Sequence, residues 1–309
     1  MAKYYLGVDG GGTNCRIRLA NERLETLADA SGGRSNLQIE GGEPAYRSIT
    51  EGTREVFRKA GIDMAEAANT AACFGMAGGR LPSARAAFEQ RSWPFRAVRV
   101  YDDIDIARAG AHGGADGAVI IVGTGSAALA QVDGQRHQAG GWGFHIGDQM
   151  SGAILGRELV RYAVEAADGL VPASPLTEAV IQRLGGTIDA VMDWSFPQDP
   201  RGPMPATAGA PSTLLGRAPA EYGALIPLFF DYFEKGDPVA RQLMQLQLDY
   251  IDRYVNWFKA RGATRMAAVG GFGTRLYPLM IERYGDYIVE PVAEPLHGAV
   301  ILARQNFPD

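Results

Sequence analysis

The sequence predicts an α/β protein made of two halves of related design. Three observations carry this expectation. A strand, a glycine-rich turn and a second strand open the chain at residues 4–20. The same order of strand, glycine–threonine turn and strand returns at residues 117–132. Segments of helical period then separate the strands that follow each hairpin. At 309 residues the chain is long enough for two domains, each with a sizeable core.

The opening hairpin sets the reading. Tyr4, Tyr5, Leu6 and Val8 form an apolar strand that delivers Asp9 to Gly10, Gly11 and Gly12, with Thr13 and Asn14 behind them. Residues 15–20 then alternate apolar and polar, which is strand period. A Walker loop or a dinucleotide fingerprint would run from strand into helix, so neither fits. Three glycines let the backbone approach an anion and aim N–H groups at it, with the Thr13 hydroxyl as a further donor. A carboxylate beside a phosphate is repelled unless a cation lies between them, so Asp9 implies Mg²⁺ in this reading. The alternative is a tight hairpin whose glycines only satisfy positive φ.

A third antiparallel strand is predicted at residues 24–28. A helix follows, with Tyr46, Ile49, Thr53, Val56 and Phe57 at helical spacing and Gly61 as its stop. Strands at 71–76 and 97–101, a helix at 82–91 and an alanine-rich helix to Gly110 complete a β-β-β-α-β-α-β-α half. The second half starts at Gly117. A strand at 118–122 reaches Gly123-Thr124-Gly125-Ser126, residues 127–132 return, and Asp133-Gly134 turns the chain into residues 135–139. A glycine-rich loop at 140–152 leads into a helix of about 16 residues. Another helix is predicted at 174–184, then irregular structure with one short helix through 187–218. A long apolar stripe follows from Val239 to Phe258. Strands at 266–269 and 287–290 and a closing helix at 296–305 end the chain. The predicted domains are residues 1–115, with helix 296–306 packing back on them, and residues 116–295.

Composition narrows the function. A net charge of −5 and a pI near 5.5 argue against nucleic acid or an anionic membrane as the partner. Cys15 and Cys73 are too few for a disulfide framework or a zinc site and suit a reducing compartment. No apolar run approaches membrane-spanning length, and a strand beginning almost at Met1 leaves no room for a signal peptide, so a cytoplasmic protein is expected.

Four further stretches carry candidate chemistry. Gly123-Thr124-Gly125-Ser126 formally fits a dinucleotide fingerprint, but a strand follows it, which favours a second phosphate hairpin or a plain turn. Gly270-Gly271 is either a third close-approach turn or a turn with a helix packed on it. Asp103 stands at a strand end and a helix start. It is a candidate base for a hydroxyl proton, while the spacing equally allows Asp102 or Asp103 to be only a helix N-cap. Gly140-Gly141-Trp142-Gly143-Phe144-His145-Ile146-Gly147-Asp148 suits a sugar platform with Asp148 accepting from vicinal hydroxyls, or a packed corner with Asp148 capping the next helix. His145 is read as a packing residue, and Asn36 by itself as a turn residue.

Together, Asp9, Thr13, Thr124 and the Gly270-Gly271 pair resemble the nucleotide site of the actin, sugar-kinase and heat-shock chaperone superfamily. The resemblance sharpens over nearly the whole chain. Gly7 to Thr13, Ser35-Asn36, Asp103 to His112, Gly117 to Ser126, Gly140 to Gly143 with Gly147-Asp148, Gly236 to Ala240 and Val269 to Gly271 are similar to the BadF/BadG/BcrA/BcrD-type ATPase family, in its N-acetylglucosamine and glucosamine kinase branch.

That resemblance implies two actin-like, ribonuclease H-like domains facing an ATP cleft. Gly10, Gly11, Gly12 and Thr13, with Gly123, Thr124, Gly125 and Ser126, would hold the ATP phosphates. Asp9 would hold Mg²⁺, and Gly270 and Gly271 would lie against the adenosine. Asp103 would be the base on the sugar 6-hydroxyl, with Asn36, Gly141, Trp142 and Asp148 around an amino-sugar substrate. A homodimer is also implied. The chain departs from the kinases at Gln149, where they usually carry Glu. Two rival readings are a non-kinase activator ATPase, which would need an iron–sulfur cluster on cysteines, and a sugar-responsive regulator, which would need a helix-turn-helix ahead of the first strand.

Overall fold

The computed structural model describes residues 2–12, 14–196 and 216–308, so Thr13 and most of the stretch predicted as irregular lie outside the described residues. The first half runs β1 (Tyr4–Gly10), β2 (Cys15–Asn21), β3 (Thr26–Gly32), α1 (Glu43–Ala60), β4 (Thr70–Met76), α2 (Pro82–Glu89), β5 (Ala97–Asp102) and α3 (Asp103–Ala111). These strands form a five-stranded sheet in the order β3-β2-β1-β4-β5, with β1 antiparallel to β2 and parallel to β4. Strand β3 starts two residues later than predicted. The Asn21 side chain accepts the Arg23 and Glu25 amides, and Leu24 turns through φ +61°, which keeps it out of the strand.

The second half repeats the beginning of this order. Strands β6 (Gly117–Val122), β7 (Ser126–Val132), β8 (Gln135–Gly140) and β9 (Met266–Val269) form a sheet ordered β8-β7-β6-β9, which matches β3-β2-β1-β4. Asp133 and Gly134 make the predicted hairpin turn, with φ of +50° and +72°. The strand expected at 287–290 is not formed. Residues Gly285–Tyr287 are a 3₁₀ turn, and only Ile288 bridges to Met266 before Pro291, which has no N–H to extend a ladder.

Helices α4 (Gly152–Ala167), α5 (Pro175–Arg183), α6 (Ile188–Ser195), α7 (Pro219–Gly223), α8 (Ile226–Glu234) and α9 (Pro238–Lys259) lie between β8 and β9, and α10 (Gly271–Tyr284) and α11 (Pro295–Asn306) close the chain. The Gly236-Asp237-Pro238 stop-and-start signal has a physical basis. Buried Asp237 accepts from the Val239 and Ala240 amides that open α9, and also from Ser174 and Leu176 at the start of α5. The chain forms two compact units, one of Met1–Ile121, Ala127–Ala139 and Trp257–Asp309, the other of Val122–Ser126 and Gly140–Asn256. Among the described residues no helix is long and apolar enough to cross a membrane.

The first sheet is buried on both faces, and period-2 geometry sorts its side chains. Leu6, Val8, Ile17, Leu19 and Phe74 join Ile49 and Phe57 of α1 in one cluster. Tyr5, Ala20, Ala71 and Cys73 join Ile106 of α3 and Val300 and Ala303 of α11 in the other. Helix α11 reaches β1 closely because Gly7 has no side chain: a β-carbon there would come within 2.9 Å of the Leu296 carbonyl and the Val300 amide. At Gly298 a β-carbon would strike the Ile106 carbonyl and the Gly110 backbone of α3. Gly298→Ala is therefore expected to lower unfolding free energy by about 2–3 kcal/mol in urea titrations, the order of an overpacked core site.

Candidate active site

The glycine turn after β1 is fixed from outside. The Gly11 amide donates to the Asn14 carbonyl at 2.8 Å, the Ala77 amide to the Gly10 carbonyl at 2.6 Å, and the buried Ser35 amide and hydroxyl to the Gly11 carbonyl at 3.1 and 2.9 Å. None of Gly10, Gly11 and Gly12 has left-handed φ, so positive φ is not what selects glycine here. Gly10 lies against Met76, whereas at Gly12 a β-carbon would meet nothing. Neither a left-handed φ nor packing against a β-carbon accounts for Gly12. The next loop brings Asn36 over Gly78, with its side-chain oxygen accepting the Gln38 amide at 2.8 Å.

Strand ends place the carboxylates. Asp9 is the penultimate residue of β1 and Asp102 closes β5, with β4 between them pairing Gly75 to Asp9 and Met76 to Asp102. Asp102 occupies the N-cap position of α3 but makes no side-chain cap bond. Its buried carboxylate instead accepts from Gln138 of β8 at 2.8 Å, with Arg136 3.9 Å away. Arg136 grips Asp105 through two bonds of 2.6 and 2.9 Å. The helix-cap alternative for Asp102 is therefore not what forms. Burial pushes the Asp103 carboxyl up to about 8, and the charges of Asp102 and Asp9 push the same way, against a bond from the Ile104 amide. Burial also raises Asp102, opposed by the Gln138 bond. A positive charge brought to Asp9 would favour ionised Asp103, the form able to accept a proton.

The other unit carries the second turn. The Gly123 amide donates to the Gly125 carbonyl at 3.0 Å, and the Gly152 amide to the Gly123 carbonyl at 2.9 Å. A β-carbon at Gly123 would meet nothing, and one at Gly125 would sit 3.0 Å from Asp148. Asp148 adopts φ +59° and is buried. Burial raises its carboxyl against bonds from the Ser126 and Gly143 amides. Helix α4 is capped by Ser151, whose hydroxyl accepts the Ile154 amide at 3.1 Å, so Asp148 is not the cap. Gly140, Gly141 and Gly143 all have left-handed φ and hold Trp142 59% exposed at the loop surface. The ring of Phe144 stacks on Tyr222, and His145 meets Phe144 edge-on.

A sequence profile of the BadF/BadG/BcrA/BcrD ATPase family matches residues 6–303. The chain belongs to this family. Membership implies use of ATP. It is 30% identical over 300 residues to glucosamine kinase GspK of Vibrio cholerae, covering 97% of this chain and 95% of that one. A crystal structure of a candidate N-acetylglucosamine kinase from Chromobacterium violaceum is 30% identical, covers 97% of this chain and 99% of its own, and superposes with a TM-score of 0.80. A ROK family glucokinase from Streptomyces griseus, at 18% identity and a TM-score of 0.54 with 98% and 99% covered, shares the fold. The fold is thus the two-domain actin-like α/β fold of sugar kinases.

Within this BadF-type fold, the residues singled out from sequence fall into two groups. Asp9, Gly10, Gly11, Gly12, Asn36, Asp103, Gly270 and Gly271 lie in the first unit, and Gly123, Thr124, Gly125, Ser126, Gly141, Trp142 and Asp148 in the second. Gly270 needs its glycine for φ +99° at the start of α10, while a β-carbon at Gly271 would meet nothing. Sequence reading missed Arg136, Gln138 and Tyr254. The polar run on β8 was a usable signal for the first two. Tyr254 was hidden in the apolar stripe of α9, yet a β-carbon at Gly140 would lie 3.0 Å from its hydroxyl, and burial and the Asp148 charge raise its phenol.

Asp103 also yields a stability prediction. A carboxyl whose folded pKa is raised holds its proton in the folded state between about pH 4 and 8 while the unfolded chain does not. Stability therefore falls as pH rises through that window. The stability gained on Asp103→Asn should be larger at pH 8 than at pH 5 in ligand-free denaturation curves.

Proposed function

We propose that the chain is an ATP-dependent amino-sugar kinase that moves the γ-phosphoryl of ATP to the 6-hydroxyl of glucosamine or N-acetylglucosamine. The observation that carries this reading is Asp103, a half-buried carboxyl beside Asp9 and Asp102 whose affinity for a proton is raised. Its family and its amino-sugar kinase relatives support the same reaction class.

In this reading phosphoryl transfer needs positioning and charge neutralisation more than covalent chemistry. Asp103 takes the proton of the 6-hydroxyl as that oxygen bonds to the γ-phosphorus. The bond from phosphorus to the β–γ bridging oxygen breaks, and ADP leaves. The turns at Gly10–Thr13 and Gly123–Ser126 offer amides to the phosphates, and Gly270-Gly271 borders the adenosine. Asn36, Gly141, Trp142 and Asp148 bind the sugar. Asp9 is the residue suited to Mg²⁺: it is a partly exposed carboxylate that already pairs with a cation, Arg16. Bound Mg²⁺ would neutralise phosphate charge. A cytoplasmic homodimer completes the proposal. Buried Cys15 and Cys73, both with thiol pKa values raised by burial, do not favour a metal-cluster activator.

Three measurements test it. Asp103→Asn should retain ATP and sugar binding in calorimetry while losing about 10²–10⁴ in kcat, the range of a general base. Undiminished turnover would remove Asp103 from that role. A coupled assay across glucose, glucosamine, N-acetylglucosamine, N-acetylmannosamine and N-acetylmuramic acid should single out an amino sugar. Gly123→Ala should change stability by less than about 0.5 kcal/mol, since nothing packs there, while weakening ATP binding.

A further inference from the structure

The hydrogen-bonded register of the opening hairpin sets Asp9 directly opposite Arg16. An Arg16 guanidinium nitrogen donates to Asp9 Oδ2 at 2.6 Å, and its other terminal nitrogen donates to Glu294 Oε2 at 2.8 Å. Glu294 stands at the N-cap position of α11 and is also held by Arg18 at 3.0 Å, which in turn pairs with Asp29 at 2.7 Å. The side chain of Arg16 is 45% exposed and that of Asp9 20%, so the pair lies at the rim of the glycine turn and not in the core.

We infer that Arg16 is a resident counter-cation for Asp9, which a divalent cation must displace. This rests on the reading of Asp9 as the Mg²⁺ holder. A carboxylate oxygen bonded to a guanidinium has its charge already compensated, and a metal ion arriving at the same group is repelled by the arginine a few ångströms away. The two cations therefore compete for one anion. Arg16 can release Asp9 without leaving its place, because Glu294 holds its other end. While no metal is bound, Arg16 offsets one of three neighbouring carboxylates, Asp9, Asp102 and Asp103. When metal replaces it, the compensating charge stays on Asp9 and the arginine turns wholly to Glu294. Arg16 is in this sense a positioning residue: it sets the metal affinity of Asp9 without touching sugar or the transferred group.

The test uses the full-length, nucleotide-free protein, with Mn²⁺ as the spectroscopic probe. In EDTA, Arg16→Gln should melt below wild type. In Mn²⁺ titrations followed by electron paramagnetic resonance, Arg16→Gln should half-saturate at about three- to fivefold lower metal than wild type, the size of a partly exposed ion pair. Arg16→Lys, which keeps the charge, should return toward the wild-type value. The double variant Asp9→Asn/Arg16→Gln should lose the tighter site. A merely structural arginine would lower the melting temperature without tightening metal binding. Equal half-saturation in wild type and Arg16→Gln, or no Mn²⁺ binding to either, overturns the inference. If Asp9→Asn alone binds Mn²⁺ as wild type does, the metal role of Asp9 is what fails, and the inference falls with it.

Discussion

Three carboxylates, Asp9 near the end of β1, Asp102 at the end of β5 and Asp103 at the start of α3, impose the constraint that the candidate site is built around. Like charges in a partly desolvated place raise one another's proton affinity, and a fold that assembles them needs compensating groups. Arg16 pairs with Asp9, Gln138 and Arg136 face Asp102, and Arg136 is itself anchored by Asp105. Asp103 has no cation of its own: it accepts a bond from the Ile104 amide and shares one with Asp102, and burial raises its proton affinity. A group so placed is poised to exchange a proton once the surrounding charge changes.

The two glycine turns meet the same requirement by different local means. After β1, Ser35 and Ala77 hold the carbonyls of Gly11 and Gly10. After β6, the Gly152 and Gly141 amides hold the carbonyls of Gly123 and Ser126. In both, the carbonyls are tied down from behind, and glycines that neither φ nor packing demands stand in the turn. The duplicated strand order accounts for why such a turn occurs twice in one chain.

Much of the fold was legible because the local signals agreed with one another. Strand period, glycine turns and helix stops placed β1, β2, β4 to β9 and the helices around them. The misses have local causes. Leu24 left β3 because the Asn21 side chain captured two amides, and residues 287–290 read as strand by composition although Pro291 denies them a ladder. Whether Asp102 or Asp148 serves as a helix cap could not be read from spacing, since Asp suits a cap as well as a site. It needed to be seen that Asp102 makes no cap bond and that Ser151 caps α4.

The sequence by itself determined the α/β class, the repeated hairpin, the family and the positions of the carboxylates and glycines, because each of these is written within a short stretch of chain or in the order of such stretches. Tertiary structure alone decided which partner each carboxylate keeps. Arg136 and Gln138 reach Asp102 and Asp105 from β8, more than 30 residues on, and Glu294 reaches Arg16 from the start of α11 across 278 residues. Charge compensation is a property of distance in space, and no periodicity along the chain encodes it.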